Sequence, residues 1–333
     1  MSPPATAALF LASLTLDLAA AFVLARTVDR IVHRFALPEG LLGVLTALAA
    51  DSPEIASAVT ALLRHQHDVG IGVVLGSNLF NLAGLLGLSA LVAGQVSIGR
   101  HAMVVQGGVA MIVVLISAAL VLGWLAPPAA VALLALVLAP YLVLTASRPG
   151  RWESAGKHHA GRRFLAMALH EEGQDSVRPT TARPATRTDL LGAVPALLAV
   201  VGTSVVLVIS ATTLGDRAGL PRPLLGTLVL AALTSLPNVV AGVRLAGHGR
   251  GTAVVSATMN SNTANLVVGL ALPALVLGVG PVTQVVRVQL GWLLALSSVA
   301  VGLGLRDGLS RRAGGVIVVL YVAFVVVTVS AYA

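Results

Sequence analysis

Two segments of this 333-residue chain carry the same pattern, PEIASAVTALLRHQHDVGIGVVLGSNLFNLAG at 53–84 and PNVVAGVRLAGHGRGTAVVSATMNSNTANLVVG at 237–269. A constant offset of 184 residues pairs them without a gap. The proline and polar positions that coincide are Pro53 with Pro237, Ser77 with Ser261, Asn78 with Asn262, and Asn81 with Asn265. Apolar matches are common in such a hydrophobic chain, so the polar and proline pairs are the evidence for an internal repeat.

The composition around these segments is that of a membrane protein. Hydrophobic residues make up 57% of the chain and charged residues 10%, whereas soluble domains carry about 25% charged residues. Apolar runs of roughly 20 residues recur, which is the length of a spanning helix, and bilayers admit only helices or closed barrels. The sequence predicts an all-α integral membrane protein with about ten spans, at 6–26, 39–63, 69–94, 101–123, 126–146, 189–211, 223–246, 251–278, 283–305 and 313–332.

A polar segment at 147–188 divides these spans into five and five. It is rich in Arg, His, Pro and Thr, and we interpret it as a linker, with a short amphipathic helix around 162–173. The predicted domains are a first half at 1–146, with its repeat near 43–92, and a second half at 189–333, with its repeat near 226–276. The first apolar run lacks preceding basic residues and a clear cleavage site, so we expect a retained helix.

The basic residues predict the topology. With the N-terminus outside, the cytoplasmic side receives 17 Lys and Arg residues and the outer side four, as the positive-inside rule requires. Orientation thus accounts for the net charge of +8, and nucleic acid is not needed as a partner. Because each half has five spans, the halves have opposite orientations, and the predicted fold is two inverted-topology five-helix repeats with both termini outside. Ala- and Arg-rich, Lys-poor usage points to a bacterial cytoplasmic membrane, where the linker would meet anionic lipid head groups.

Each repeat places a proline and polar residues in the middle of a span. Proline removes a helical hydrogen bond, so we expect helix breaks at Pro53 and Pro237, which would expose carbonyl oxygens at membrane depth. Ser77 and Asn81 share one helix face, as do Ser261 and Asn265. These elements predict an oxygen-ligand site for hard cations such as Ca²⁺, Na⁺ or Mg²⁺. Its candidate ligands are Asp51, Ser52, Glu54, Ser77, Asn81, Thr234, Ser235, Asn238, Ser261 and Asn265.

One more acid, Asp17, lies inside the first predicted span without a counterpart in the second half. It either takes part in ion or proton passage or forms a hydrogen bond between helices. The chain has no cysteine, which excludes disulfides, thiolate catalysis and cysteine-ligated metals. No cofactor is expected, and the expected partners are the lipid bilayer and inorganic cations; no protein partner is indicated, and the oligomeric state is open.

The paired segments resemble the alpha repeats of the calcium:cation antiporter superfamily, which includes sodium/calcium and proton/calcium exchangers. Members carry G-T-S-x-P-E followed by G-S-N-x-x-N. Here the first repeat has ADSPE and GSNLFN, and the second has LTSLPN and NSNTAN. The resemblance implies secondary active antiport by alternating access at a midplane site, with Ca²⁺ exchanged against Na⁺ or H⁺.

The second repeat departs from the family pattern. The resemblance implies one acid after the proline in each repeat, but here Glu54 is matched by Asn238. Asp51 stands where the family has a hydroxyl residue, and it aligns with either Thr234 or Ser235, because the stretch before it is one residue shorter than in the second repeat. Both carboxylates therefore come from one repeat, which leaves open a monovalent cation or proton as the transported ion.

Three other functions compete with antiport. A non-transporting sensor or scaffold derived from the family would explain the missing second acid. An intramembrane carboxylate enzyme would use Asp17, Asp51 and Glu54, but no nucleophile–base arrangement is visible, so we expect no enzymatic activity. A channel is less favoured, because broken helices at an inverted-repeat interface suit a closed, alternating site.

Overall fold

The computed structural model describes residues 2–34, 39–146, 164–165, 167–168, 171, 187–306 and 308–332. Within these residues, nine helices are long and apolar enough to cross a membrane. The remaining predicted span, 39–63, is present as two twelve-residue helices separated at Asp51. The prediction of an all-α membrane protein with about ten spans is confirmed.

The first half contains α1 (Pro3–Arg34), α2 (Glu39–Ala50), α3 (Ser52–Leu63), α4 (His67–Asn81), a π-helical segment (Leu82–Leu88), α5 (Ser89–Ala93), strand β1 (Gln95–Val96), α6 (Arg100–Val121) and α7 (Pro127–Thr145). The second half contains α8 (Arg187–Arg217), α9 (Arg222–Leu224), a π-helical segment (Leu225–Leu230), α10 (Ala231–Gly247), α11 (Gly251–Leu266), a π-helical segment (Val267–Ala271), α12 (Leu272–Leu277), α13 (Gln284–Gly304), strand β2 (Leu309–Ser310) and α14 (Arg311–Ser330).

The offset of 184 residues extends beyond the two repeats to most of each half. Moved by 184 positions, α1, α4, α6 and α7 fall on 187–218, 251–265, 284–305 and 311–329, each within one residue of the bounds of α8, α11, α13 and α14. The π-helical segment Leu82–Leu88 likewise falls on 266–272, which contains Val267–Ala271. The exception is the span before each repeat proline, where the two halves differ.

That exception has a local cause in the sequence. The second repeat has one residue more than the first before its proline, and the π-helical segment Leu225–Leu230 lies in this stretch. A π-helical turn absorbs one extra residue without breaking the helix. Because the extra residue is taken up before Ala231, the offset of 184 holds from there onward. We therefore align Asp51 with Ser235 rather than with Thr234.

The prolines act differently in the two halves. Pro53 lies in the first turn of α3, where a missing N–H costs nothing, and the chain turns at Asp51 just before it. Pro237 lies inside α10, which continues through it from Ala231 to Gly247. The predicted helix break at Pro237 is therefore wrong. Removing one hydrogen bond weakens this helix locally, and the bonds on either side are enough to preserve it.

Glycine residues allow the backbone of α4 to pack directly against the backbone of the second half. A Cβ atom on Gly76 would meet the carbonyl oxygen of Thr227, and one on Gly226 would meet that of Val69. The α4 span is also the most deeply buried of the nine. This close contact fixes the first Ser/Asn helix against the π-helical segment of the second repeat.

We predict that Gly76→Ala lowers the free energy of unfolding by roughly 1–3 kcal/mol, because the new methyl group would meet backbone that cannot yield easily. Gly202→Ala is the matched control, since Gly202 also lies in a helix and a Cβ there has nothing within 4 Å. The control should be neutral or stabilising by up to about 1 kcal/mol. Thermal unfolding in detergent compares them, and equal melting temperatures would contradict the close packing.

A short β-sheet and a carboxylate contact connect the segments at one end of the helix bundle. Strands β1 and β2 pair antiparallel, with Gln95 opposite Ser310, and so connect the segments that precede α6 and α14. Glu171 is one of the few described residues of the predicted linker. Its carboxylate accepts a hydrogen bond from the backbone N–H of Ala102 (2.9 Å) and lies 2.7 Å from Nδ1 of His101. Most of the predicted linker and its amphipathic helix lie outside the described residues.

Candidate cation-binding site

The two predicted carboxylates lie at the start of α3, where the chain turns. Asp51 precedes the helix and Glu54 lies in its first turn, and both side chains are 1% exposed. Asp51 makes no capping bond to its own helix, so its side chain is free to face other elements. The amino end of α3 carries partial positive charge, which favours anionic groups there.

The second half supplies neutral donors to these carboxylates. The Ser235 hydroxyl donates to Glu54 Oε1 at 2.8 Å, and the Ser261 hydroxyl donates to Asp51 Oδ1 at 2.7 Å. The Asn238 amide donates to Asp51 Oδ1 at 2.7 Å and to Glu54 Oε1 at 3.4 Å. Asn238 therefore bridges the two acids from the position where the family resemblance implies the acid of the second repeat. The charge of the site comes from the first half alone.

The amides of the two Ser/Asn helices extend this network. Asn81 Nδ2 donates to Ser261 Oγ at 3.0 Å and to Asn262 Oδ1 at 3.2 Å. Asn78 and Asn262 each donate to the other's backbone carbonyl at 3.2 Å. This reciprocal pair relates two residues that are 184 positions apart, so α4 and α11 cross at equivalent points of the two halves. Asn78 and Asn262 were not predicted as site residues, although their recurrence in the repeat was a signal for this contact.

Several buried oxygen atoms of the site have no hydrogen-bond partner among the described residues. They are Asp51 Oδ2, Glu54 Oε2, Ser77 Oγ, Asn81 Oδ1 and Asn265 Oδ1. Unpaired buried polar atoms cost free energy, and their concentration beside two carboxylates is what a cation-binding site requires. Oxygen atoms of carboxylates, hydroxyls and amides are the ligands that Ca²⁺, Mg²⁺ and similar hard cations use.

The structure therefore brings most of the predicted ligands together. Asp51, Glu54, Asn81, Ser235, Asn238 and Ser261 form one hydrogen-bonded network. Ser77 and Asn265 are buried one helical turn from Asn81 and Ser261, respectively, on the same faces. Two candidates are engaged elsewhere, since the Ser52 hydroxyl donates to the Ala49 carbonyl at 2.8 Å and the Thr234 hydroxyl to the Leu230 carbonyl at 2.9 Å.

Asp17 lies apart from this network, in the interface between α1 and α8. Its carboxylate accepts hydrogen bonds from the hydroxyls of Thr203 at 2.7 Å and Ser204 at 3.1 Å. Of the two roles weighed for Asp17, the bond between helices is present. A role in ion or proton passage stays a prediction.

The fold and this network define a multi-pass membrane protein with inverted halves and a buried, oxygen-lined cluster between them. Residues 5–155 and 189–330 match the family described as sodium/calcium exchanger protein. This match covers most of the chain, so the chain belongs to that family. The family consists of exchangers, and the alternative of an intramembrane enzyme is therefore dropped.

Individual relatives agree with this assignment. The chain is 27% identical over 261 residues to the inner membrane protein YrbG of Escherichia coli, a match that covers 77% of this chain and 73% of that protein. It is 29% identical over 127 residues to sodium/potassium/calcium exchanger 1 of Bos taurus, but this covers 34% of the chain and 10% of the bovine protein. Its fold is similar to that of a crystal structure of the H⁺/Ca²⁺ exchanger CAX, with a TM-score of 0.75 at 14% identity over 96% of this chain and 82% of that one.

Proposed function

We propose that the chain is a secondary active cation antiporter of the sodium/calcium exchanger type, with Asp51 and Glu54 as its charged ligands. The observation that carries this proposal is the set of unpartnered buried oxygens around the two acids. Each carboxylate has one oxygen held by neutral donors of the second half and one oxygen left for a cation. Family membership supports transport as the use of such a site.

Alternating access follows from the symmetry of the molecule. The two halves of an inverted repeat are related by a pseudo-two-fold axis in the membrane plane. A conformation that opens the site to one side of the membrane therefore has a symmetry-related conformation that opens it to the other side. The site contains elements of both halves, so a relative movement of the halves would change its access. The direct Asn78–Asn262 contact lies where the two repeats cross, and we propose that the site opens on alternate sides of this crossing.

Charge balance limits the ions that this site can exchange. Leaving a carboxylate bare at the bilayer centre costs at least about 2.5–3.5 kcal/mol, and two adjacent carboxylates do not both stay ionised without a counter-charge. Two carboxylates balance one Ca²⁺, two Na⁺ or two H⁺. The second half offers neutral oxygens and an amide donor instead of a third negative charge. We propose that the site alternates among these electroneutral occupancies.

A flux panel in proteoliposomes tests the function and identifies the ions. Radiotracer or dye flux is measured for Ca²⁺, Na⁺, K⁺ and Mg²⁺ under imposed cation and pH gradients. We expect at least one cation to move against a counter-gradient of another cation or of protons. Calcium flux equal to that of empty liposomes under Na⁺ and H⁺ gradients would exclude Ca²⁺ as a transported ion. Cation binding without any flux would instead favour the sensor or scaffold alternative.

We further propose the topology that the charge distribution predicts, with both termini outside a bacterial cytoplasmic membrane. The chain has no cysteine, so single introduced cysteines report without background. A membrane-impermeant maleimide should label Leu220→Cys in intact cells and His248→Cys only after permeabilisation, because these positions lie in loops assigned to opposite sides. The reverse pattern would contradict the proposed orientation.

A further inference from the structure

We infer that Asp17 is a second ionisable site of this protein, which binds and releases a proton in the interface between α1 and α8. Asp17 is fully buried, and it lies about 20 Å along α1 from the first residue of that helix. That distance places it well inside the hydrocarbon layer, whose thickness is about 30 Å. An ionisable residue at such a depth is expected to have a function.

The partners of Asp17 suit both of its protonation states. Among the described residues, the hydrogen-bond partners of both carboxylate oxygens are hydroxyl groups, with Thr203 at 2.7 Å from Oδ1 and Ser204 at 3.1 Å from Oδ1 and from Oδ2. A hydroxyl donates to a carboxylate and accepts from a carboxylic acid equally well. An arginine or a backbone N–H in the same place would favour the ionised state alone.

The Thr203 hydroxyl has a second possible acceptor for its proton besides Asp17. Its Oγ1 atom lies 2.7 Å from Asp17 Oδ1 and also 2.7 Å from the carbonyl oxygen of Ala199. A hydroxyl has one proton, so it cannot donate to both acceptors at once. When Asp17 is ionised, Thr203 donates to it. When Asp17 is protonated, the acid donates to a hydroxyl and Thr203 turns its proton to Ala199.

A proton fits this position better than a metal cation. The two carboxylate and two hydroxyl oxygens at Asp17 fall short of the six to eight ligands that Ca²⁺ takes. No Lys or Arg of the described residues forms an ion pair with Asp17. Among residues whose side chains the structure describes, the charged groups on the elements packed against α1 are Asp51 and Glu54 at the α2–α3 turn, Asp216 and Arg217 at the end of α8, and Arg244 near the end of α10.

Glu54 is the group through which Asp17 would act on the cation site. Glu54 is on α3, which packs against α1, and two negative charges in a medium of low dielectric constant repel each other. Protonating Asp17 would therefore remove repulsion from Glu54 and also remove attraction for a cation bound there. By linkage, a cation at Glu54 favours release of the proton from Asp17. This inference deepens the proposed function, because it supplies a proton that leaves as a cation binds.

The two halves contribute to this second site as they do to the first. Asp17 is on α1, whereas Thr203 and Ser204 are on α8, the inverted counterpart of α1. At the main site the first half likewise supplies acids and the second half neutral donors. The position equivalent to Asp17 by the 184-residue offset is Val201, which is 45% exposed, so the second half has no matching acid.

The test is infrared difference spectroscopy of the purified full chain between about pH 5 and pH 9. We expect wild type to show a carboxylic-acid band that titrates in this range and is lost in Asp17→Asn, which keeps the size of the side chain and, like the protonated acid, offers one donor group and one acceptor oxygen. Ser13→Ala, one turn away on the same helix, should retain the band. Ser204→Ala removes the donor to both oxygens and should shift the frequency of the band without abolishing it.

Identical pH-difference spectra for wild type and Asp17→Asn would overturn the inference, since Asp17 would then keep one protonation state. If Asp17→Asn does not fold, an unshifted band in Ser204→Ala would overturn it in the same way. The measurement needs no transport, so its failure is distinguishable from failure of the proposed function. In flux assays, Asp17→Asn should lower the apparent cation affinity at alkaline pH and leave it unchanged at acidic pH, where wild-type Asp17 is also neutral.

Discussion

Glu54→Gln is expected to abolish cation exchange in proteoliposomes. The substitution keeps the shape of the side chain and removes one of the two negative charges of the site. The loss should lower cation affinity by at least about 100-fold, since even groups that only support metal ligands contribute about 10–100-fold. The Ser235 hydroxyl can still donate to the remaining amide oxygen, so the variant should fold. Tracer flux and thermal unfolding of the same preparation measure both effects.

Asp216→Asn is the matched control for this prediction. It also removes one carboxylate, but Asp216 is in an exposed pair with Arg222 at 3.2 Å, and exposed pairs contribute about 1 kcal/mol or less. Its flux should therefore equal that of wild type. Normal exchange by a folded Glu54→Gln variant would show that the cation binds elsewhere.

Asn238→Glu is expected to change both the stability and the ion preference of the site. The substitution replaces a donor that bridges Asp51 and Glu54 with a third carboxylate. Without a cation the variant should be destabilised by roughly 3–5 kcal/mol, the cost of a buried charge that lacks a partner. Binding of a divalent cation should restore much of this stability. The site of the variant should also bind divalent cations in preference to monovalent ones.

Two further variants separate charge from size. Asn238→Gln has nearly the size of Asn238→Glu and no charge, so it should show little change with added cation. Asn238→Glu combined with Asp51→Ser returns the site to two acids, one from each half, and should recover stability without a cation. If Asn238→Glu alone has the stability and ion preference of wild type, then Asn238 does not face the carboxylates.

Periodic and recurring features of the sequence predicted the fold well. Apolar runs of spanning length located the helices because the bilayer fixes the length of an apolar helix. The offset seen at Pro53 and Pro237 proved to hold for the first, fourth and fifth spans of each half. Those outer helices share few identical side chains, so the sequence assigned them to the same repeat through span count and orientation, without their register.

The site could be predicted as a set of residues but not as a set of contacts. The 184-residue offset identified the pairs Ser77 with Ser261 and Asn81 with Asn265, because a residue type that both repeats need at one position appears twice at that offset. The register of Asp51 was ambiguous by one residue, since the sequence does not show which turn of a helix absorbs an extra residue. The π-helical segment Leu225–Leu230 resolves this point.

Contacts between helices that are distant in the chain could not be predicted from the sequence. Proline predicts a break from its missing N–H, but whether a helix continues depends on its packing, and α10 continues through Pro237. The partners of Asp17 could not be identified either, because Thr203 and Ser204 have no counterpart on α1 and lie 186 and 187 positions away. Such pairs follow from how α1 and α8 lie against each other.

We propose that the two acids of the first half bind a cation that crosses the membrane only in exchange for another. Counterflow from tracer-loaded proteoliposomes tests it directly, with the cation identified by the flux panel. We expect tracer to leave only when an exchangeable cation or a proton gradient is supplied outside, and we expect Glu54→Gln to remove this stimulation. Tracer release that is equally fast without any outside cation, or that persists in a folded Glu54→Gln variant, would contradict it.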